Sequence, residues 1–282
     1  MNTQPTTPLK HYPRVLTIAG SDSGGGAGIQ ADLKAFAALG CYGMTAITAL
    51  TAQNTIGVQG IHGIPAEFLK AQIQSVMDDI GVNAIKIGML HAPEIVDVVA
   101  WAIDHYQLKN VVLDPVMVAT SGDRLIASET VQVLVRELFP RATLITPNLD
   151  EAVLLLGREI SDASELELAG RDLLAMGACA VLLKGGHLRS DDVMDLLVQP
   201  NTPSERLSSR RIHSKNVHGT GCTLSSAIAA YLALGMGLSE AVHCARQFIV
   251  QAIAHGADIN TGHGHGPLNH GFAPVSMHAL HG

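Results

Sequence analysis

Apolar residues along this chain follow two alternating rhythms. Short, nearly continuous apolar runs alternate with longer stretches in which apolar positions recur every three or four residues. The short runs Val15–Ala19, Met44–Ala52, Ala84–Gly88, Val111–Asp114, Thr143–Thr146 and Ala178–Lys184 read as strands. Gly28–Leu39, Pro65–Ile80, Pro93–His105, Ser128–Phe139, Asp150–Leu156 and Ser164–Met176 read as helices. In Pro65–Ile80 the residues Phe68, Ile73, Val76 and Ile80 mark the apolar face, with the proline at a tolerated first-turn position. Further on, Met194–Val198 and Arg211–Lys215 read as short strands around a Pro/Ser-containing loop, Gln199–Ser209. Two long helices follow, Gly219–Leu234 and Ser239–His255. The alternation predicts an α/β fold: a mostly parallel sheet with helices on both faces. No internal repeat and no linker divides the chain, and Met1–Pro13 reads as a flexible tail.

Composition narrows the function classes. At 282 residues, with 47% hydrophobic and 15% charged, the chain is long and apolar enough for one large buried core. The net charge of −7 and scattered basic residues give no electrostatic footprint for nucleic acid; the densest basic stretch, Arg206–Lys215, is short. An aromatic content of 4% leaves little for a base-stacking platform. No run approaches the ~18 apolar residues of a membrane helix, and the first thirteen residues lack the apolar core of a signal peptide. Cys41, Cys179, Cys222 and Cys244 show neither metal-ligand spacing nor a disulfide framework, which suits a reducing cytoplasm.

The stretch of most chemical interest is Lys215-Asn-Val-His-Gly-Thr-Gly-Cys222, directly before an apolar helix. Gly219 and Gly221 permit a tight turn and close approach of a ligand. The free N–H groups of the helix point back at that turn, making an anion hole. Cys222, at a helix N-terminus, is expected to have a lowered thiol pKa and is a candidate base or nucleophile. A glycine loop capping a buried helix, with Cys222 as a small core residue, is the competing reading. The pattern lacks the Gly-Lys-Ser/Thr of a Walker loop.

Ligands of such sheets bind beyond the carboxyl ends of the strands. Polar or glycine-rich clusters stand at several of these ends: Gly20–Gly28, Lys86–Leu90, Asp114–Met117, Thr146–Glu151 and Lys184–His187. Gly26-x-Gly28-x-x-Ala31 nearly matches a dinucleotide fingerprint, but no acidic ribose partner stands near twenty residues on. Asp22 reads as a capping residue.

These motifs together resemble the hydroxymethylpyrimidine/phosphomethylpyrimidine kinases of thiamine biosynthesis, in the ribokinase-like superfamily. The resemblance is carried by Thr17–Asp22, Gly25–Lys34, Ile47–Asn54, Lys86–Leu90, Val112–Met117, Thr146–Asn148 with Glu151, Lys184–His187 and His218–Cys222, and spans about Arg14 to Pro274. It implies a three-layer α/β/α sandwich forming a single domain over 14–274, a small β flap at Asn54–Gly60, and a second flexible tail at 275–282. It also implies ATP-dependent phosphorylation of a hydroxymethyl group on an aminopyrimidine, then of the resulting monophosphate. Gly219, Thr220 and Gly221 would cradle the migrating phosphoryl group, with Cys222 beside it. Gln53 would read the aminopyrimidine edge, and Gly20, Asp32, Met89 and Val116 would line the same pocket. Lys184, Asn148 and Asp114 would face ATP, and Glu151 with Asp114 would hold Mg²⁺ through water. A cytoplasmic homodimer is implied, with no nucleic-acid or membrane partner. The related alternatives are a pyridoxal/pyridoxine kinase and a non-catalytic vitamin-precursor binding protein. The histidines His263, His265, His270, His278 and His281 are expected to serve structure rather than metal binding.

Overall fold

Consecutive residues of the central strands face opposite helical layers. The computed structural model describes residues 10–117, 125–160, 162, 164–186 and 191–281. His187 and residues 1–9 of the expected N-terminal tail lie outside the described residues. The strands are β1 (Lys10–His11), β2 (Arg14–Asp22), β3 (Tyr42–Gln53), β4 (Val58–Gly63), β5 (Ala84–Ile87), β6 (Val111–Leu113), β7 (Leu144–Ile145), β8 (Val181–Leu183), β9 (Asp192–Val198), β10 (Glu205–Arg210) and β11 (Leu280–His281). The helices are α1 (Gly28–Ala38), α2 (Ala66–Asp79), α3 (Pro93–His105), α4 (Ser128–Leu138), α5 (Leu149–Leu156), α6 (Leu166–Ala175), α7 (Thr220–Ala233) and α8 (Leu238–Ala254). Leu16, Ile18, Ile85, Ile87, Leu113 and Ile145 pack with helices α2 to α6. Val15, Ala84, Val112, Leu144 and Leu182 point the other way, onto α1, α7 and α8. This period of two, buried on both faces, produces the continuous apolar runs of the sequence.

The main sheet has nine strands in the order β10-β9-β8-β7-β6-β5-β2-β3-β4. Its central pairings, from β8 through β7, β6, β5 and β2 to β3, are parallel. The outer pairings β3–β4, β8–β9 and β9–β10 are antiparallel. From β2 the chain passes to β3 on one side and then returns to β5 on the other. That reversal opens a crevice at the carboxyl ends of β2 and β5. No helix among the described residues is long and apolar enough to cross a membrane.

Three features differ from the sequence reading. The last strand of the main sheet is Glu205–Arg210, not Arg211–Lys215, so most of the expected loop Gln199–Ser209 belongs to a hairpin. Leu207 is the buried residue of this edge strand, and one apolar position leaves no period to read. Phe68 is 59% exposed; Leu69 and Ile73 are the buried residues of α2. The segments outside 14–274 touch the body. β1 pairs with β11, the Val275 N–H donates to the Ala38 carbonyl, and the His278 N–H to that of Gly40.

Lys86 breaks the apolar pattern of β5 on the α1/α7 side. It is completely buried, opposite Thr17 in the β2–β5 register. Its ammonium lies 2.9 Å from both carboxylate oxygens of Asp32 on α1, which is also completely buried. Thr17 Oγ1 and Ser226 Oγ of α7 each donate to Asp32 at 2.6 Å. Burial alone would lower the ammonium's pKa; the Asp32 charge outweighs it and holds Lys86 above its ordinary value. Removing one partner leaves a charge in the core, so Asp32→Ala is expected to cost about 3–5 kcal/mol of stability. The double replacement Asp32→Leu/Lys86→Met is expected to cost less than Asp32→Ala alone, as read from urea midpoints.

Candidate active site

Two glycine turns interlock at the crevice. After β2 the chain turns through Gly24–Gly28, and Asp22 holds that turn. Its Oδ1 accepts the Gly24 N–H at 2.8 Å; its Oδ2 accepts those of Gly26 at 3.0 Å and Ala27 at 2.8 Å. Burial acts to raise the Asp22 carboxyl, but hydrogen bonds from His218, Ala27 and Gly24 hold it below the usual carboxylate range. The second turn is Val217–Gly221. Gly219 has φ 84° and is the residue before the first turn of α7. A Cβ at Gly219 would collide with the Gly26 carbonyl, and one at Gly26 with the His218 ring. The left-handed φ and the close approach both require glycine.

The N-terminus of α7 faces charged residues from three strand ends. A Cβ on Gly221 would come within 3.1 Å of Lys184 Nζ and 3.5 Å of Asp114 Oδ2. Lys184 donates to Asp114 Oδ1 at 2.8 Å, and Thr146 Oγ1 donates to the same oxygen at 2.9 Å. Burial acts on Lys184 to lower it; Asp114 and Glu151 outweigh burial and keep it a cation. Asn148 and Glu151 form a capping box on α5. Asn148 Oδ1 accepts the Glu151 N–H at 2.9 Å, and Glu151 Oε2 accepts the Asn148 N–H at 2.8 Å. Burial, with Asp114 adding to it against Lys184, raises the Glu151 carboxyl to about 7. Burial also pushes the Cys222 thiol up to about 11, against the pull of Lys86. This corrects the expectation of a lowered thiol: at this helix N-terminus desolvation outweighs the favourable field.

One continuous cavity of about 960 Å³ joins these parts. Gly20, Gln53, Met89 and Val116 line one end, and Gly219, Thr220, Gly221 and Cys222 the middle, with Lys184, Asp114, Asn148 and Glu151. Asp32 does not line it. Both its oxygens are taken by Lys86, Thr17 and Ser226, and Lys86 stands at the cavity wall in its place. The sequence reading missed a further part of the lining, with Ile212 and Val217 of the segment after β10 and Ile249 and Ile253 of α8 as apolar walls. Its signal was the apolar face of α8, which reads equally as core. Over the Gln53 end stands the flap. Asn54–Gly57 forms its turn, closed by the Asn54 N–H on the Gly57 carbonyl, and β4 extends the sheet from it. The His-rich segment grips this turn: the His265 N–H donates to the Thr55 carbonyl at 2.8 Å and the Gly264 N–H to Thr55 Oγ1 at 3.2 Å. Two residues on, Gly266 accepts the His218 N–H. His270 Nε2 is 2.8 Å from Thr223 Oγ1. Among the described residues no cluster of three His, Cys, Asp or Glu side chains could hold a metal ion.

A sheet of this order between two helical layers, with a glycine turn at a helix N-terminus and a lysine beside it, is the architecture of a ribokinase-like kinase. A sequence profile described as phosphomethylpyrimidine kinase matches residues 22–269, and the chain belongs to that family. It is similar to the hydroxymethylpyrimidine/phosphomethylpyrimidine kinase of Rhizobium meliloti, 48% identical over 90% of this chain and 96% of that protein. It is 51% identical to the thiamine biosynthesis bifunctional protein of Geobacter sulfurreducens over 92% of this chain, spanning 53% of that longer protein. The Bacillus subtilis pyridoxal kinase, solved as an ADP complex, superposes with a TM-score of 0.85 at 40% identity, covering 92% of this chain and 98% of its own.

Two outcomes follow from this geometry. Gly221→Ala is expected to fold, and to lower kcat with ATP by about 10-fold or more by displacing Lys184 from the anion hole; steady-state kinetics beside a melting curve check it. Glu151 retains its proton in the folded state between its unfolded value near 4.5 and about 7. Over that window the unfolded chain binds fewer protons, so the ligand-free protein loses stability as pH rises. Glu151→Gln is expected to remove that slope in denaturation curves taken across the window.

Proposed function

We propose that this protein transfers the γ-phosphoryl group of ATP to the hydroxymethyl group of 4-amino-5-hydroxymethyl-2-methylpyrimidine, and then phosphorylates the monophosphate to the diphosphate. The observation that carries this reading is the single cavity in which an amide-bearing pocket and an apolar stretch of lining meet at one anion hole. Its volume is near the upper end for one drug-sized ligand, so a small heterocycle and a nucleotide fit side by side. Met89 and Val116 offer apolar faces to the ring. The lining at Ile212 and Ile253 takes the purine. The backbone N–H groups of Gly219–Cys222 and the Lys184 ammonium receive the charge that develops on the transferred group.

Asp114 and Glu151 are the carboxylates suited to Mg²⁺. Asp114 uses Oδ1 for Lys184 and Thr146, leaving Oδ2 toward the α7 terminus. A magnesium ion takes few protein ligands and retains water; held there, it supplies neutralisation of phosphate charge. The likeness to pyridoxal kinases favours a second reading, phosphorylation of a hydroxymethylated pyridine in the same pocket. The amide of Gln53 suits an aminopyrimidine edge and ranks the pyrimidine first.

The two steps differ in what they ask of a base. The alcohol loses a proton as its bond to phosphorus forms; the monophosphate, with a second pKa of ~6, is already mostly a dianion. Cys222 is the base for the alcohol. Because burial holds its thiol near 11, it acts through a small thiolate fraction that grows with pH. The wild-type kcat for hydroxymethylpyrimidine is therefore expected to rise from pH 7 to 9, and in Cys222→Ser to become flat. The kcat for the monophosphate is expected to be flat in both proteins. Rates of ATP consumption measured on the two substrates separately decide it. A pH-independent first step removes Cys222 as base, and absence of turnover with either pyrimidine refutes the function.

A further inference from the structure

Four side chains along one wall of the cavity are joined head to tail. Asp22 Oδ2 lies 2.9 Å from His218 Nε2, and the same ring nitrogen lies 3.3 Å from the Gln53 amide nitrogen. At its other atom, Gln53 Oε1 is 3.1 Å from Thr51 Oγ1, and Thr51 Oγ1 is 2.8 Å from the Ser21 carbonyl. Donor and acceptor accounting fixes every proton in this chain. An ionised carboxylate only accepts, so His218 Nε2 carries a proton and directs it at Asp22. A protonated ring nitrogen has no lone pair left for an amide N–H. The contact with Gln53 is a hydrogen bond only when Gln53 turns its oxygen to His218, sharing that proton with Asp22. Thr51 has one hydroxyl proton, and the closer acceptor is the Ser21 carbonyl. To Gln53 the hydroxyl then offers lone pairs, so it asks for the amide NH₂. Both ends of Gln53 therefore require the same half-turn of its amide.

So oriented, Gln53 has one N–H and one oxygen lone pair remaining for the cavity, in a fixed order. A ring nitrogen beside an exocyclic amino group presents the matching acceptor and donor. The oxo counterpart, a ring N–H beside a carbonyl, presents them reversed. The hydroxymethyl group must face Gly219–Cys222, so the ring cannot turn over to compensate. We propose that His218, anchored by Asp22, locks the Gln53 amide in this orientation and makes the site select an amino-substituted azine over its oxo counterpart. This rests on the reading of Gln53 as the residue that meets the heterocycle's edge. His218 is here a positioning residue: it acts through Gln53.

The inference is tested on the wild-type protein and on variants. With ¹⁵N-histidine labelling, NMR is expected to show His218 Nε2 protonated, the signal being assigned by its loss in His218→Gln. An Nε2 without a proton overturns the proposal, and the other histidine signals of His218→Gln, unchanged from wild type, show that the variant used for assignment is folded. In kinetics, wild type is expected to prefer the 4-amino substrate to its 4-oxo analogue in kcat/KM. His218→Phe is expected to reduce that preference by about 10-fold or more, through a higher KM for the amino compound and with an unchanged KM for ATP. His218→Gln, which retains an N–H donor, is expected to restore most of it. An unaltered preference in His218→Phe, with Gln53→Leu losing it, overturns the role of His218 alone. A preference that survives Gln53→Leu overturns the reading of Gln53 itself.

Discussion

A lysine ammonium can lie wholly inside a protein only with an opposite charge beside it, and the site is built around one such pair. Lys86 on β5 and Asp32 on α1 meet on the face of the sheet where α1 and α7 pack. Ser226 brings α7 into the same network, and Thr17 brings in β2. Four elements are thereby held in register directly behind the turn that would receive phosphate. The pair contributes little net stability compared with apolar side chains of equal volume. What it contributes is placement: the N-terminus of α7 cannot slide along the sheet without uncovering a charge. Within the pair, Lys86 draws the nearby Cys222 thiol down and Asp32 pushes it up, and both act on top of the burial that raises it.

The glycine turns solve a second problem, that of bringing backbone N–H groups close together without side chains in the way. Gly219 and Gly26 touch backbone to backbone, so the two turns act as one body. Asp22 serves that body twice, by accepting the N–H groups of its own turn and by fixing His218 of the other. The two glycine turns and the Gln53 side chain are therefore mechanically linked through one carboxylate.

Much of this was legible in the sequence. The strand and helix rhythm gave the layers because parallel strands buried on both faces leave uninterrupted apolar runs. The glycine turn before α7 was legible as a candidate anion hole, and the family resemblance pointed to Gln53, Met89, Val116 and Lys184; the fold gathers all of them into one cavity. Asp32 was misread because an aspartate near a glycine loop looks the same whether it faces a ligand or a buried lysine; only the register of Thr17 opposite Lys86 tells them apart. Glu205–Arg210 escaped notice because an edge strand buries too little to impose a period. The thiol of Cys222 was misjudged because a helix terminus is visible in sequence and desolvation is not. The capping use of Asn148 is written in its spacing from Glu151 and is compatible with its place on the cavity lining.

The grip of the His-rich segment on the flap has a consequence for how the site comes into being. Thr55 and Gly264 are 209 residues apart in the chain, yet they are bonded directly. On a ribosome, which releases the chain from its N-terminus, β2, β3 and the flap emerge well before the segment that clasps them. The glycine turns, the lysine pair and the amide of Gln53 are all made before the strap that seats the flap over them. Until the chain through His265 has emerged, the flap turn lacks this clasp.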